Sequence, residues 1–394
     1  MRIINRGKAL LLLILGGLST AVPAEVITGP ALEMARVGAL MRSIYPTIID
    51  PGKELTPEQT AQLQQDLDAL STHVNNTSKQ KILQTDTFKL AMKTLLKHLE
   101  SAQKSIRGND THYARSLLRS ATTLCSACHT QDFQERIFTK ESLKVTFANP
   151  LYEADYYYMT RNYSEAQDIY QHYIAGLRQL TWTEESKTAL ERILVIFIQI
   201  NRDPTLAESY LDALKASPKV DKVVKARIEK WLDGLQTVKT EEQQATQQKF
   251  EYKTLAQYME KYILPGDDMF IVLPENKRVI ALWMRGMLHR HLNTFPTAEE
   301  TPQILYWLAF IDRSLEYNLF YSLADLYLKQ CITGYPSHPY ADRCFNLYKD
   351  YIYFSYTGSA GTHVPEPVQE ELRELQAQLK TSPKTTNRKQ PKNN

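Results

Sequence analysis

Almost nowhere along this chain do apolar side chains alternate with polar ones at the two-residue period of a strand. The exception is Met269–Leu273, which follows a turn at Pro265-Gly266-Asp267-Asp268. Elsewhere the apolar residues recur at helical spacing, so the sequence predicts an all-α protein. A chain of 394 residues is long enough for two or three helical domains with sizeable cores. With four cysteines it is no disulfide scaffold.

Charge narrows the class of partner. The first 24 residues hold Arg2, Arg6 and Lys8 and no acid; setting these three aside leaves 44 basic against 44 acidic side chains. The last fifteen residues hold Lys380, Lys384, Arg388, Lys389 and Lys392, again without an acid. The body between is mildly acidic and offers no electrostatic grip on phosphate, so nucleic acid is not an expected partner. The basic n-region, the apolar run Ala9–Leu18 and the small-residue end Val22-Pro23-Ala24 have the tripartite form of a secretory signal. Residues 1–24 are therefore read as a signal peptide, too short in its apolar core for a comfortable membrane span. The mature chain is expected in the periplasm, without stable membrane insertion.

Composition divides that chain. Of 23 tyrosines only Tyr45 and Tyr113 precede residue 151, and all four tryptophans follow it. The expected domains are 25–145 and 146–379, with a disordered basic tail at 380–394. In the first, four helices are predicted: Ala31 to Tyr45, stopped by Pro46; Thr56 to Val74, with Pro57 at its first position and a loop from Asn75-Asn76; Asp86 to Ile106; and Asp110 towards Phe133, after the breaker Arg107-Gly108-Asn109. Short connections suggest a four-helix bundle.

Near the end of the fourth helix stands Cys125-Ser126-Ala127-Cys128-His129. C-x-x-C-H is the attachment signature of c-type haem. On a helix the three residues lie at i, i+3 and i+4, on one face. Two thiols there can form thioethers with the two porphyrin vinyl groups, and the imidazole is held as proximal iron ligand. A thioredoxin-like site would need a βαβ setting that is missing, and a zinc site would need two further nearby ligands. One covalently bound haem c is expected, held by Cys125, Cys128 and His129.

A signal peptide followed by four helices with C-x-x-C-H late in the fourth resembles the cytochrome c-prime family over about residues 27–140. The resemblance implies a haem inside the bundle whose sixth position faces helix one, either ligated by methionine or left open behind an apolar residue. Met34, Val37, Gly38 and Met41 form one face of that helix. Met41 is the expected distal ligand, on its likeness to the family's arginine-then-methionine pattern at Arg36 and Met41, with Met34 the alternative. His98 and His112 are read as exposed or capping residues, and both methionines also suit a bundle core.

The second part resembles a tetratricopeptide-type helical repeat at two places: Ala154–Tyr170, and Leu323–Tyr348 about the turn Gly334-Tyr335-Pro336. Further helices are expected at about 184–201, 206–215, 220–235, 278–292, 303–316 and 366–379. Cys331 and Cys344 flank the second turn and are either disulfide-bonded or two buried thiols. His289-Arg290-His291 is expected to face solvent, and Gly358–Pro365 to be a flexible joint. The sequence thus reads as a monohaem c-type cytochrome for electron transfer, its repeat-like domain docking a redox or scaffold protein. The rival readings are a haem-based gas or redox sensor with an open distal site, and an interaction scaffold. No Ser/His/Asp or paired-carboxylate constellation points to an enzyme, and peroxidase chemistry of the haem stays open.

Overall fold

The computed structural model describes residues 30–50, 54–79, 86–131, 147, 149–159, 162–245, 251–263, 273–295, 298–315, 323–359 and 361–381. In the last turns of the fourth helix, from position 125, the backbone alone is described. The signal-peptide segment, the basic tail beyond Thr381 and most of the Met269–Leu273 run lie outside these residues. The described chain is almost wholly helical, with strand confined to the two-residue pairing of β1 (Thr357–Gly358) with β2 (Gly361–Thr362).

The first four helices are α1 (Pro30–Ile48), α2 (Pro57–Ser78), α3 (Asp86–Arg107) and α4 (Thr111–Gln131). Each packs on the next, and α1 also touches α4. Helix α2 opens on a capping box: Gln59 N–H donates to Thr56 Oγ1 at 3.2 Å and Thr56 N–H to Gln59 Oε1 at 3.0 Å. Helices α1 and α2 run antiparallel, because His73 meets Glu33 at 2.8 Å while Ser43 donates to Asp66 at 2.6 Å. Between α3 and α4, Asn109 takes the left-handed conformation (φ 62°) and Asp110 N–H returns to Ser105 O at 2.8 Å.

Two boundaries depart from the sequence reading. Pro46 lies inside α1, which continues to Ile48. Its ring falls in the last turn of the helix, so the chain loses a single intrahelical bond, the one to the Arg42 carbonyl. Helix α2 runs on through Asn75 and Asn76 to Ser78. Thr77 is buried there, and its hydroxyl donates to His73 O at 2.8 Å inside the same helix, so these polar residues do not compete with the helix for its own bonds.

Then follow α5 (Pro150–Met159), α6 (Tyr163–Gly176), α7 (Glu184–Val195), α8 (Pro204–Ala216), α9 (Lys222–Ala245), α10 (Tyr252–Tyr258), α11 (Glu275–Thr294), α12 (Thr301–Leu315), α13 (Ala324–Gly334), α14 (Pro339–Ser355) and α15 (Glu366–Thr381). Five-residue π-helical turns extend α7 over Ile196–Ile200 and α10 over Met259–Ile263. Helix α10 has no counterpart in the sequence reading. Helices α13 and α14 form a hairpin joined by a disulfide between Cys331 and Cys344, so the open choice between bonded and free thiols resolves to the bond.

Helix α11 is the hub. It touches α9, α12, α10, the π turn after α7, and α4. Its buried residues run from Arg278 to His291 with few breaks. This corrects the solvent-facing expectation for the histidines. His289 is 2% exposed and within 3.3 Å of the Tyr327 hydroxyl; His291 is 6% exposed and donates through Nε2 to Glu300 at 3.1 Å. Adjacent positions on a helix do point apart, but a helix covered on every side buries both. Burial, with the Arg285 charge adding to it, depresses the His289 pKa to about 3, so the ring is neutral.

One glycine is required by this packing. A Cβ at Gly234 on α9 would stand 2.4 Å from the Asn276 carbonyl oxygen and 2.9 Å from Val279 Cβ on α11. Gly234→Ala is expected to force α9 from the hub and lower stability by about 1–3 kcal/mol, read as a shifted urea midpoint. Opening the Cys331–Cys344 link with Cys331→Ser is expected to cost about 2–4 kcal/mol, and thiol reductant should lower the wild-type midpoint while leaving that variant's unmoved.

Candidate functional site

Cys125, Cys128 and His129 all fall within α4. The helical backbone therefore sets them at i, i+3 and i+4, sharing one face of one element. Their side chains lie outside the described atoms.

What positions this helix is described fully. Arg115 on α4 is 4% exposed; its Nε donates to Thr47 O at 2.8 Å and its Nη2 to Asp50 O. One turn on, Arg119 Nη1 donates to Ile48 O at 2.9 Å. These carbonyls belong to the end of α1, where the last turn has no amide partners of its own. Positive charge is also favoured at that pole of a helix. Burial pulls the pKa of both arginines below the ordinary value, and at Arg115 the neighbouring Arg119 charge adds to it. Both remain cationic, since an arginine starts so far above neutrality.

The clamp sets the register between α1 and α4. Successive short connections reverse the chain three times, so α1 and α4 run antiparallel. Counting equal rises from the Arg115–Thr47 and Arg119–Ile48 contacts, Met41 stands level with about residues 121–126 of α4, and Met34 with its last turn, from about 128 to its end at Gln131. Both thioethers thus flank the level of Cys125–His129. Met41 is half-buried and packs on the core; Met34 is half-buried; Val37 and Gly38 between them are buried. The stripe continues into Ile44, Tyr45 and Ile48, all buried. Two half-buried thioethers and a buried apolar stripe thus share the part of α1 that stands at this level. His112 is exposed, and His98 Nδ1 donates to Thr94 O at 2.9 Å on its own helix.

Beyond Tyr45 lies a set of buried ionisable groups that the sequence reading missed. The Tyr45 ring stands 5.5 Å from Tyr156 and 6.3 Å from Phe147. Asp155, on α5, accepts a hydrogen bond from the Tyr170 hydroxyl of α6. Arg192 of α7 is buried beside them, its guanidinium 5.0 Å from the Tyr158 ring centre. Burial raises the Asp155 carboxyl above its ordinary range, against the pull of Arg192 and Tyr170. Burial, with the Asp155 charge behind it, lifts Tyr45 and Tyr170 well above theirs. The Tyr45 hydroxyl is buried without a hydrogen-bond partner. The available signal was an acid inside an aromatic run, Tyr152–Tyr158, and an arginine inside the apolar run of α7.

Among the described residues no group of three or more His, Cys, Asp or Glu side chains is placed to hold a metal ion. Among them, too, no helix is long and apolar enough to cross a membrane. Comparison with family models, curated proteins and solved structures finds no match.

Glu191, next to Arg192, is 6% exposed, and burial raises its pKa to about 7 against partial compensation by Lys187, Arg192 and Arg278. A raised carboxyl favours the folded state when protonated, so this contribution is full below about 4.5 and is lost as pH rises through 7. Glu191→Gln is expected to gain on the order of 1–3 kcal/mol at pH 8 and nothing at pH 4, measured by urea unfolding at both values.

Proposed function

We propose that this chain is an exported, periplasmic monohaem c-type cytochrome. In this reading the first four helices form a bundle carrying one haem c, and the remaining helices form a repeat-like domain that docks a protein partner. Residues 1–24 are the export signal. The observation that carries the proposal is the placement of Cys125, Cys128 and His129 on one continuous helix, which the anchoring chemistry needs.

Cys125 and Cys128 would hold the porphyrin by thioethers, and His129 would be the proximal iron ligand. The haem would supply exchange of a single electron. The protein's part is to fix that group and keep water from it. Arg115 and Arg119 set α4 against α1, and the buried stripe Val37, Ile44, Ile48 supplies an apolar wall. Met41 is the preferred distal ligand and Met34 the alternative. A thioether there raises the potential and keeps the iron low-spin, which suits electron transfer.

One observation favours the sensor reading as runner-up. Val37 is buried, and by the same counting it stands level with about residues 125–130. An apolar residue at that level would leave the distal position open to a small gas molecule.

The decisive measurement is the absorption spectrum and intact mass of protein matured in a host with haem-attachment machinery. Electron transfer predicts one covalent haem, a low-spin ferrous spectrum and no response to carbon monoxide. Cys125→Ala with Cys128→Ala should give colourless protein. Met41→Ala should produce a ferrous form that binds carbon monoxide, and Met34→Ala should not. Colourless wild-type protein with the mass of bare polypeptide would refute the haem. Carbon monoxide binding by wild-type protein, unchanged by either methionine substitution, would replace electron transfer with the sensor reading.

A further inference from the structure

A cleft with a volume of about 660 Å³ lies where α3 and α4 meet α13 and α15, a size common for small-ligand sites and a common location for them, between packed helical units. Its walls carry opposite charge. On α3, Lys93 and Lys97 line it; on α15, Glu370 and Glu374 do. Each pair is spaced i, i+4, so each forms a stripe along its helix. All four are exposed. Leu90, Leu117 and Leu375 supply apolar surface between the walls.

The base of the cleft is already neutralised. Lys329 pairs with Glu371, which also accepts from the Tyr348 hydroxyl at 2.8 Å. The walls are less fully neutralised: Glu370 pairs with Arg373 on its own helix, and the Lys97 charge acts on Glu371, while among the described residues Lys93, Lys97 and Glu374 form no ion pair within 4.0 Å. Stripes of opposite sign on α3 and α15 thus line one cleft, with no ion pair between them among the described residues. A lone anion would meet the glutamates and a lone cation the lysines. A nucleotide would set phosphates against an acidic wall. The arrangement suits a ligand that carries both charges, separated by an apolar group.

We propose that this cleft binds a short peptide segment, with a carboxylate on Lys93 and Lys97, an ammonium group on Glu370 and Glu374, and an apolar side chain on the leucines between. The site stands apart from the haem reading and does not depend on it.

The test is calorimetric titration of the full chain with acetyl-Glu-Leu-Lys-amide and acetyl-Lys-Leu-Glu-amide, whose only charges are on side chains. Saturable binding of at least one is expected. The neutral acetyl-Gln-Leu-Gln-amide should bind about tenfold more weakly or worse, as should the charged peptide to Lys97→Glu or to Glu374→Lys. Both positions are exposed, so the variants should melt with wild type, which separates lost binding from lost fold. Joining the two reversals in one chain should recover part of the affinity. Absence of saturable heat at millimolar peptide, equal binding of the neutral peptide, or unchanged affinity in both single variants would each overturn the proposal.

Discussion

The register of α4 against α1 rests on two arginines inserted under the end of a helix. A helix finishes with carbonyls that no amide of its own can reach. In α1, Thr47, Ile48 and, just beyond, Asp50 offer theirs to Arg115 and Arg119 of α4. The match is mutual: two buried cations need acceptors as much as the carbonyls need donors. Apolar packing alone tolerates sliding, because one leucine resembles the next. A directional bond to a particular carbonyl does not. Everything placed farther along α1, the Met34–Met41 stripe included, inherits its height on α4 from this contact.

The same helix reaches in the other direction through Tyr45. Its ring packs with Phe147 and Tyr156, which belong to the tyrosine-rich part of the chain. Behind it Asp155, Tyr170 and Arg192 tie α5, α6 and α7 together. Arg192 stays charged despite burial, because Tyr158, Tyr170, Asp155 and Glu191 surround it with partners for a cation. A buried charge without such partners would be costly, and with them it fixes geometry more than it adds stability.

Helix positions were largely legible in the sequence, for local reasons. Thr56-Pro57 with Gln59 spells a start, Gly108-Asn109 spells a stop, and both work through atoms within a few residues. The failures differ in kind. Pro46 and Asn75-Asn76 look like breakers, yet Pro46 costs one bond at the end of α1, and past the asparagines Thr77 and Ser78 turn their hydroxyls to carbonyls of α2. His289 and His291 look exposed until α9, α10 and α12 close around α11. At the histidines tertiary environment, which no window of residues contains, overruled a local preference. The candidate site divides the same way. The three proposed attachment positions stand within five consecutive letters. Arg115 and Arg119, which place their helix, look like two ordinary cations on its surface.

The change of composition near residue 150 is real, yet one hydrophobic cluster extends from Val37 to Leu379 without a gap at that point. Helix α3 meets α13, and α4 meets both α5 and α11. Contacts of this kind make the orientation of α4 a property of the whole molecule. Helix α4 meets the hub helix α11 directly, so a displacement of α4 is felt by the elements packed around that hub. Close-packed interiors transmit such strain over their full extent. Asp155, Glu191 and Arg192 are buried in the helices α5 and α7 and His289 in the hub itself, so each depends for its solvation on how these helices pack.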